Sequence, residues 1–264
     1  MTPLAAGNAR VKEARKLSRR SVRTERRLFL VEGWKAVAEA AAIPGCVVEV
    51  FATPAAHEEH AALLDGLTVH LVDERAAASL SGAVTPQGLV AVCGFLDVPL
   101  AEALAAPGPG PIAVCADVRD PGNAGTIIRT ADAAGARAVV LAGHSVDPYN
   151  DKTVRATVGS LFHLPVALAP DPAAVVLAAQ RAGYAVLAAD GTGETGLFAA
   201  DDLLAGDVAW LLGNEAWGLP AELAGLADHR VAIPLLGRAE SLNLATAAAV
   251  CLYASARVRP TLGS

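Results

Sequence analysis

The chain has 264 residues, 53% of them hydrophobic and 18% charged, which is enough to bury a core without disulfide or metal staples and excludes disorder for the bulk. Its longest apolar stretch, near residues 244–256, falls short of the roughly 18 residues a membrane span needs, so no membrane partner is expected. The formal charge of −6 argues against a nucleic-acid partner only as an average. Residues 1–35 hold ten Lys or Arg against three acids, a net +7, and the other residues hold eleven against twenty-four, a net −13.

Periodicity predicts a helix over residues 11–40, then β-rich runs at 46–52, 68–72 and 88–96 separated by Ala-rich helical segments, together a small α/β unit. The Pro107-Gly-Pro-Gly-Pro111 cluster continues neither helix nor strand. It puts the domain boundary between 1–105 and 106–264. Beyond it, strands are predicted at 112–116, 138–141, 185–189, 208–212 and 231–233 with helices between them. This alternation predicts a mostly parallel sheet whose ligands bind beyond the carboxyl ends of the strands.

Cys46, Cys93, Cys115 and Cys251 lie far apart in apolar stretches, the pattern of buried thiols in a reducing compartment. The first nine residues lack the apolar core of a secretory signal, so a cytoplasmic protein is expected. His57-Glu-Glu-His60 has the wrong spacing for a zinc-protease motif and the six histidines are scattered, so no metal is expected.

Three strand-end segments carry polar groups that an apolar fold does not need. In Asp117-Val-Arg-Asp-Pro-Gly-Asn-Ala-Gly-Thr-Ile-Ile-Arg129, Pro121-Gly122 turns the chain, and Asn123 has the chemistry of a helix cap. In Trp210-Leu-Leu-Gly-Asn-Glu-Ala-Trp-Gly218, an apolar strand delivers Asn214 and Glu215 between Gly213 and Gly218, where backbone can approach a ligand closely. In Ile233-Pro-Leu-Leu-Gly-Arg-Ala-Glu-Ser-Leu-Asn243, Ser241 suits a cap, and Asn243 is expected in the first turn of a very apolar helix, where an unpaired amide is costly.

The joint order and spacing of these segments resembles the SpoU/TrmH-type branch of the SPOUT RNA methyltransferases. Asn123 and Arg129 fall on its first motif, Gly213-Asn214-Glu215 on its second, and Ile233-Pro234 with Ser241-Leu242-Asn243 on its third. Upstream, Phe29-Leu-Val-Glu-Gly-Trp-Lys-Ala-Val-Ala-Glu-Ala40 is similar to the opening of the L30e-like substrate-binding domain that precedes many such catalytic domains.

The resemblance implies an α/β fold, with a small L30e-like domain followed by a SPOUT catalytic domain whose C-terminal end forms a deep trefoil knot. It also implies transfer of a methyl group from S-adenosylmethionine to a ribose 2′-hydroxyl of rRNA or tRNA by a homodimer. Gly213, Asn214, Ile233, Leu242 and Ala189 would line the donor site. Arg129 would act with Asn123, Glu215, Ser241 and Asn243. An arginine base is physically awkward, because its pKa exceeds about 12, which favours Arg129 as an electrostatic clamp and leaves the proton acceptor open. Arg155 matches a basic position near the RNA. On the predicted first helix Lys12, Arg15, Arg19, Arg23 and Arg26 recur at steps of three and four, with Lys16, Arg20 and Arg27 widening the stripe, a face suited to track phosphates.

Two other classes compete. Gly191-Thr-Gly-Glu-Thr-Gly196 fits a dinucleotide-binding fingerprint, but the segment after it is too short and acidic for the usual helix. A non-catalytic RNA-binding protein would leave Asn123, Arg129, Glu215 and Asn243 without a role.

Overall fold

The computed structural model describes residues 2–259 and divides into two compact units, Met1–Leu96 with Asp147–His163, and Asp97–Val146 with Leu164–Ser264. The first contains strands β1 (Leu28–Glu32), β2 (Val47–Ala52), β3 (Val69–Leu71) and β4 (Leu89–Gly94), ordered β1-β4-β2-β3. Strand β4 pairs antiparallel with β1 and β2, and β2 parallel with β3. Val11, Leu17, Phe51, Val72, Leu80, Val90 and Val92 share a buried cluster that ties the N-terminal helix to this sheet.

The single helix predicted over residues 11–40 is not formed. Helices Ala9–Arg15 and Arg20–Arg26 are separated by a 3₁₀ turn and by Arg19, whose backbone is extended (φ −91°, ψ 128°). Leu28-Phe-Leu-Val-Glu then makes β1 with alternating burial, and a further helix follows at Trp34–Ala41. Tertiary pairing with β4 overrides the helical pattern here.

That break also corrects the basic stripe, because Arg23 turns inward. Its side chain donates to Asp147 Oδ2 from Nε (3.0 Å) and Nη2 (2.6 Å), and to the carbonyls of Leu17 (2.9 Å) and Ser18 (2.8 Å). Arg23 is only 3% exposed, so it holds the fold together and is not on the surface. Asp147 belongs to a segment that sequence order places in the second domain but contacts place in the first unit. Phe29 packs against Tyr149 (4.7 Å between ring centroids) and Phe162 (6.3 Å) of the same segment.

The second unit holds β5 (Ile112–Ala116), β6 (Ala138–Ala142), β7 (Val166–Ala169), β8 (Ala185–Ala189), β9 (Thr195–Gly196), β10 (Val208–Leu212) and β11 (His229–Ala232). They form one sheet in the order β7-β6-β5-β10-β8-β11-β9 in which every pairing is parallel. A parallel sheet covered on both faces needs near-continuous apolar strands, and β5, β6 and β10 are buried along their whole length. The insertion of β10 between β5 and β8 brings the ends of three distant segments to one edge of the sheet.

Two helices complete that edge. Pro121–Ala133 starts with Pro121 in its first turn and is capped by Asp120, whose carboxylate accepts from the Asn123 N–H at 2.8 Å. Leu244–Arg257 is capped by Asn243, whose Oδ1 accepts from the N–H groups of Ala245 (2.9 Å) and Thr246 (3.2 Å). The caps are thus Asp120 and Asn243, not the expected Asn123 and Ser241: Asn123 lies inside the first turn and its N–H is the group that Asp120 accepts from, and Ser241 precedes the cap by two residues. Asn243 avoids the expected penalty because it stands before the apolar helix, exposed, and not inside it. The buried side of Leu244–Arg257 includes Ser255, which accepts from the indole N–H of the fully buried Trp210 (2.9 Å).

The Gly191–Gly196 segment does not begin a crossover helix. It turns into the two-residue β9 and a 3₁₀ turn at Leu197–Ala199. A side chain at Gly193 would collide with the backbone of Arg230 and Val231, so close strand packing explains that glycine. The dinucleotide-binding alternative has no structural counterpart.

Candidate functional site

The three polar segments leave the carboxyl ends of β5, β10 and β11 and meet there, beside the end of β8. Strand β10 ends at Leu212 and runs into a tight turn in which Asn214 and Gly218 exchange backbone hydrogen bonds of 2.9 Å in both directions. Gly218 takes φ +68° to close it. A Cβ at Gly213 would strike the carbonyl group of Gly218 and the backbone nitrogen of Leu219, so only glycine fits without the turn opening. Asn214 is buried, donates from Nδ2 to the Asp117 carbonyl (2.7 Å) and accepts at Oδ1 from the Ala216 N–H (2.8 Å).

Glu215 fastens the turn to the first segment. Its Oε1 accepts from the Asp120 N–H (2.9 Å) and from Asn123 Nδ2 (3.3 Å), and its Oε2 accepts from the Arg119 N–H (3.2 Å). Partial burial pushes its carboxyl pKa up, but the backbone N–H donors and the Asn123 amide outweigh this and hold it below the usual carboxylate value. Asn123 Oδ1 in turn accepts from Asn243 Nδ2 (3.1 Å). A continuous line Glu215–Asn123–Asn243 therefore joins residues from all three segments. Arg119, from the first segment, lies over the Trp217 ring of the second, 5.2 Å from its centroid.

Beside this line opens a cleft of about 320 Å³. Among the residues expected to hold or act on a ligand, Ala189, Gly213, Asn214, Glu215, Ile233, Ser241 and Leu242 line it. Asp190, Gly191, Leu235, Glu240, Leu244 and Ala247 are among the other residues of the wall. Of these, Leu244 and Ala247 follow from Asn243 once it is known as a cap, because helix spacing puts i+1 and i+4 near one another. Asp120, missed as the helix cap, carries its own signal in the Asp-Pro pair.

Arg129 does not line the cleft. It lies six residues beyond Asn123, about 9 Å further along the helix, and is exposed with no hydrogen bond or ion pair among the described residues. Among the basic residues of the first unit, Arg19 is exposed, Arg26 pairs with the exposed Glu13 (2.8 Å) and the Arg27 guanidinium lies 4.9 Å from the Phe95 ring centroid. Arg155 is held by Asp151 (3.1 Å) and Glu32 (3.7 Å). Among the described residues no group of three or more His, Cys, Asp or Glu is placed to hold a metal ion, and no helix is long and apolar enough to cross a membrane.

Residues 111–253 match the SpoU rRNA Methylase family, and residues 8–91 match the MRM3-like substrate binding domain. The chain is 35% identical over 251 residues to the 23S rRNA (guanosine(2553)-2′-O)-methyltransferase RlmP of Bacillus subtilis, covering 94% of this chain and 96% of that protein. It is 42% identical over 142 residues to the 23S rRNA (uridine(2479)-2′-O)-methyltransferase of Streptomyces viridochromogenes, covering 53% of this chain and 50% of that protein. Among solved structures, the AdoMet-bound rRNA methyltransferase from Sinorhizobium meliloti superposes with a TM-score of 0.83 at 36% identity, covering 97% and 96% of the two chains. The SpoU methyltransferase AviRb from Streptomyces viridochromogenes, in complex with AdoMet, gives 0.83 at 31% identity over 95% and 97%. The RlmP match and the two structural matches cover 94–97% of the chain, and the three polar segments lie inside the first matched range. The chain belongs to the SpoU rRNA methylase family.

Proposed function

We propose that the protein is an S-adenosylmethionine-dependent methyltransferase acting on a ribose 2′-hydroxyl of RNA, with rRNA, the substrate of its relatives, as the preferred class. The observation that carries the reading is the cleft at the parallel-strand ends, where the Glu215–Asn123–Asn243 line fixes three loops around a space with apolar and polar walls.

The residues present fit the donor. Gly213 leaves its backbone uncovered at the cleft wall, Ile233, Leu235 and Leu242 offer apolar surface, and the Ala189–Gly191 segment presents backbone groups. When bound, S-adenosylmethionine supplies a methyl group on a sulfonium, which is electrophilic without further activation. The protein's task is then mainly orientation and electrostatics. Ser241 supplies a hydroxyl at the cleft wall. Glu215, kept ionised by its donors, holds the 119–120 turn and Asn123 in place. Arg129, exposed and unpaired, is assigned to clamp ribose and phosphate as a fixed cation.

The same reading gives the exposed Arg19, Arg26 and Arg27 and the partly held Arg155 to the RNA backbone, together with Lys12, Arg15 and Arg20. It makes the protein a cytoplasmic homodimer, supported by the exposed Trp217, Leu235, Leu236 and Tyr253 of the second unit. Calorimetry with the full chain tests the donor site: S-adenosylmethionine binds and NAD(H) does not. A folded protein that takes up no S-adenosylmethionine, with or without RNA, contradicts the reading.

A further inference from the structure

A second cavity of about 320 Å³ lies wholly within the first unit, lined by Glu32, Gly33, Trp34, Lys35, Ala36, Ala83, Thr85, Gln87, Val154, Arg155 and Val158. The volume sits at the lower end of the range for small-ligand sites, about 300–1,000 Å³. Its walls combine features that packing does not require. Trp34 is 42% exposed although it opens a helix whose Val37 and Ala40 are buried in the core. The His60 ring backs the indole, stacked at 5.6 Å and 24°. Lys35 Nζ lies 5.5 Å from the indole centroid, and Arg155 lies on the opposite sequence segment of the lining.

The one carboxylate in the wall pairs with Arg155, which Asp151 also holds at 3.1 Å, so Lys35 is the wall's cation without an ion pair among the described residues. Glu32 accepts from the Ser81 hydroxyl and the Gly82 N–H (3.2 Å) and faces Arg155 at 3.7 Å. Val158 adds a backbone anomaly. It is β-branched yet takes φ +52°, ψ 37° at the end of the Asp151–Thr157 helix, and is 51% exposed. Such a residue is a steric outlier, and strain of this kind collects at binding sites. Gln87 supplies an exposed amide able to donate and accept at once.

We infer that this pocket takes an unpaired nucleotide of the substrate RNA, with its base stacked on Trp34, its base edge read by Gln87 and its phosphate held by Lys35. The inference rests on the reading that the substrate is RNA. An aromatic face flanked by the unpaired Lys35 and an amide matches a nucleotide better than an apolar ligand, which leaves the cation and the amide unused. A stacked base also explains why an exposed Trp is tolerated. The site lies outside the donor cleft, so it selects and anchors RNA without touching the reacting atoms.

The test uses the full chain and a fluorescein-labelled 12-nucleotide single-stranded RNA of mixed sequence, with a blunt 12-base-pair RNA duplex as comparison, both followed by polarisation. Loss of base–aromatic stacking lowers affinity by roughly fivefold to a hundredfold. Trp34→Ala is expected to lose at least that lower amount for the single strand and to leave the duplex unchanged, and Trp34→Phe to recover most of the loss. Lys35→Ala, an exposed substitution that leaves the core alone, is expected to reduce the salt dependence of single-strand binding by about one phosphate contact. Calorimetric affinity for S-adenosylmethionine is expected to stay at the wild-type value in all three. A single-strand loss below fivefold in Trp34→Ala, or an equal loss for the duplex, overturns the proposal. So does displacement of the strand by a millimolar mixture of the four nucleoside 5′-monophosphates, which reassigns the pocket to free nucleotides. Wild-type protein that binds the strand through Trp34 but takes up no S-adenosylmethionine leaves this pocket standing and removes the methyltransferase reading instead.

Discussion

Removing the Arg23 guanidinium is expected to unfold the first unit far more readily than any other single change in the basic N-terminal segment. Its four hydrogen bonds go to Asp147 Oδ2 and to the carbonyls of Leu17 and Ser18, at 2.6–3.0 Å, and the two charged side chains are 4% and 11% exposed. In Arg23→Met most of the volume remains, but Asp147 keeps a charge with no counter-ion and two carbonyls lose their donor. Breaking a buried pair from one side costs about 3–5 kcal/mol, a large part of the ~5–15 kcal/mol that holds a typical protein folded. Urea unfolding followed by circular dichroism reads this as a lower midpoint at unchanged slope. The double variant Arg23→Met with Asp147→Asn is expected to recover part of the loss, because the stranded charge is gone. Arg19→Ala, an exposed control, is expected to stay within about 0.5 kcal/mol. A stability of Arg23→Met within about 1 kcal/mol of wild type, accompanied by weaker RNA binding, would refute the structural role and return Arg23 to the RNA face.

Three further outcomes follow from the cleft and its surroundings. Gly213→Ala forces the β10 turn away from Gly218 and is expected to lower S-adenosylmethionine affinity more than tenfold by calorimetry; unchanged affinity means that this glycine is not at the donor site. Glu215 has its pKa held below the usual carboxylate value, so its contribution is complete above the unfolded-state pKa of about 4.3 and disappears only as pH falls through the lower folded value. Donor affinity measured from pH 7 down to pH 5 is therefore expected to show no loss traceable to Glu215, and a Glu215→Gln variant to keep the wild-type pH profile over that window at lower turnover. Burial pushes the Cys115 and Cys251 thiols up to about 12, with the nearby Glu215 charge adding to the effect at Cys115. Both are expected to resist a thiol-reactive disulfide at pH 8 in the native protein and to react on denaturation.

The second unit was more legible in the sequence than the first. Strands predicted at 112–116, 185–189 and 208–212 coincide with β5, β8 and β10, because strands buried on both faces are written as unbroken apolar runs. Strand β7 was missed, since Val166–Ala169 is short, carries alanine and exposes Leu168. In the first unit the dense arginines between residues 10 and 27 mimicked one helix, and nothing local shows that Arg19 breaks it or that Arg23 reaches a partner 124 residues away. The cleft followed a similar division. The resemblance to the family's motifs implies Gly213, Asn214, Ile233, Ser241 and Leu242, but the relay through Asn123 between Glu215 and Asn243 needs the strand order of the sheet, which no single segment encodes. The resemblance puts Arg129 in the same site, and the chain's own fold leaves it on the helix surface outside the cleft lining.

The central claim is that the cleft formed by the Ala189–Gly191, Gly213–Gly218 and Ile233–Asn243 segments directs a methyl group to ribose. The most direct measurement is incubation of the protein with unmodified rRNA transcript and isotopically labelled S-adenosylmethionine, followed by digestion to nucleosides and mass spectrometry. Label is expected in a 2′-O-methylated nucleoside, and is expected to be lost in Arg129→Ala protein that still binds the donor. Label on a base, or full ribose methylation by Arg129→Ala, would contradict it.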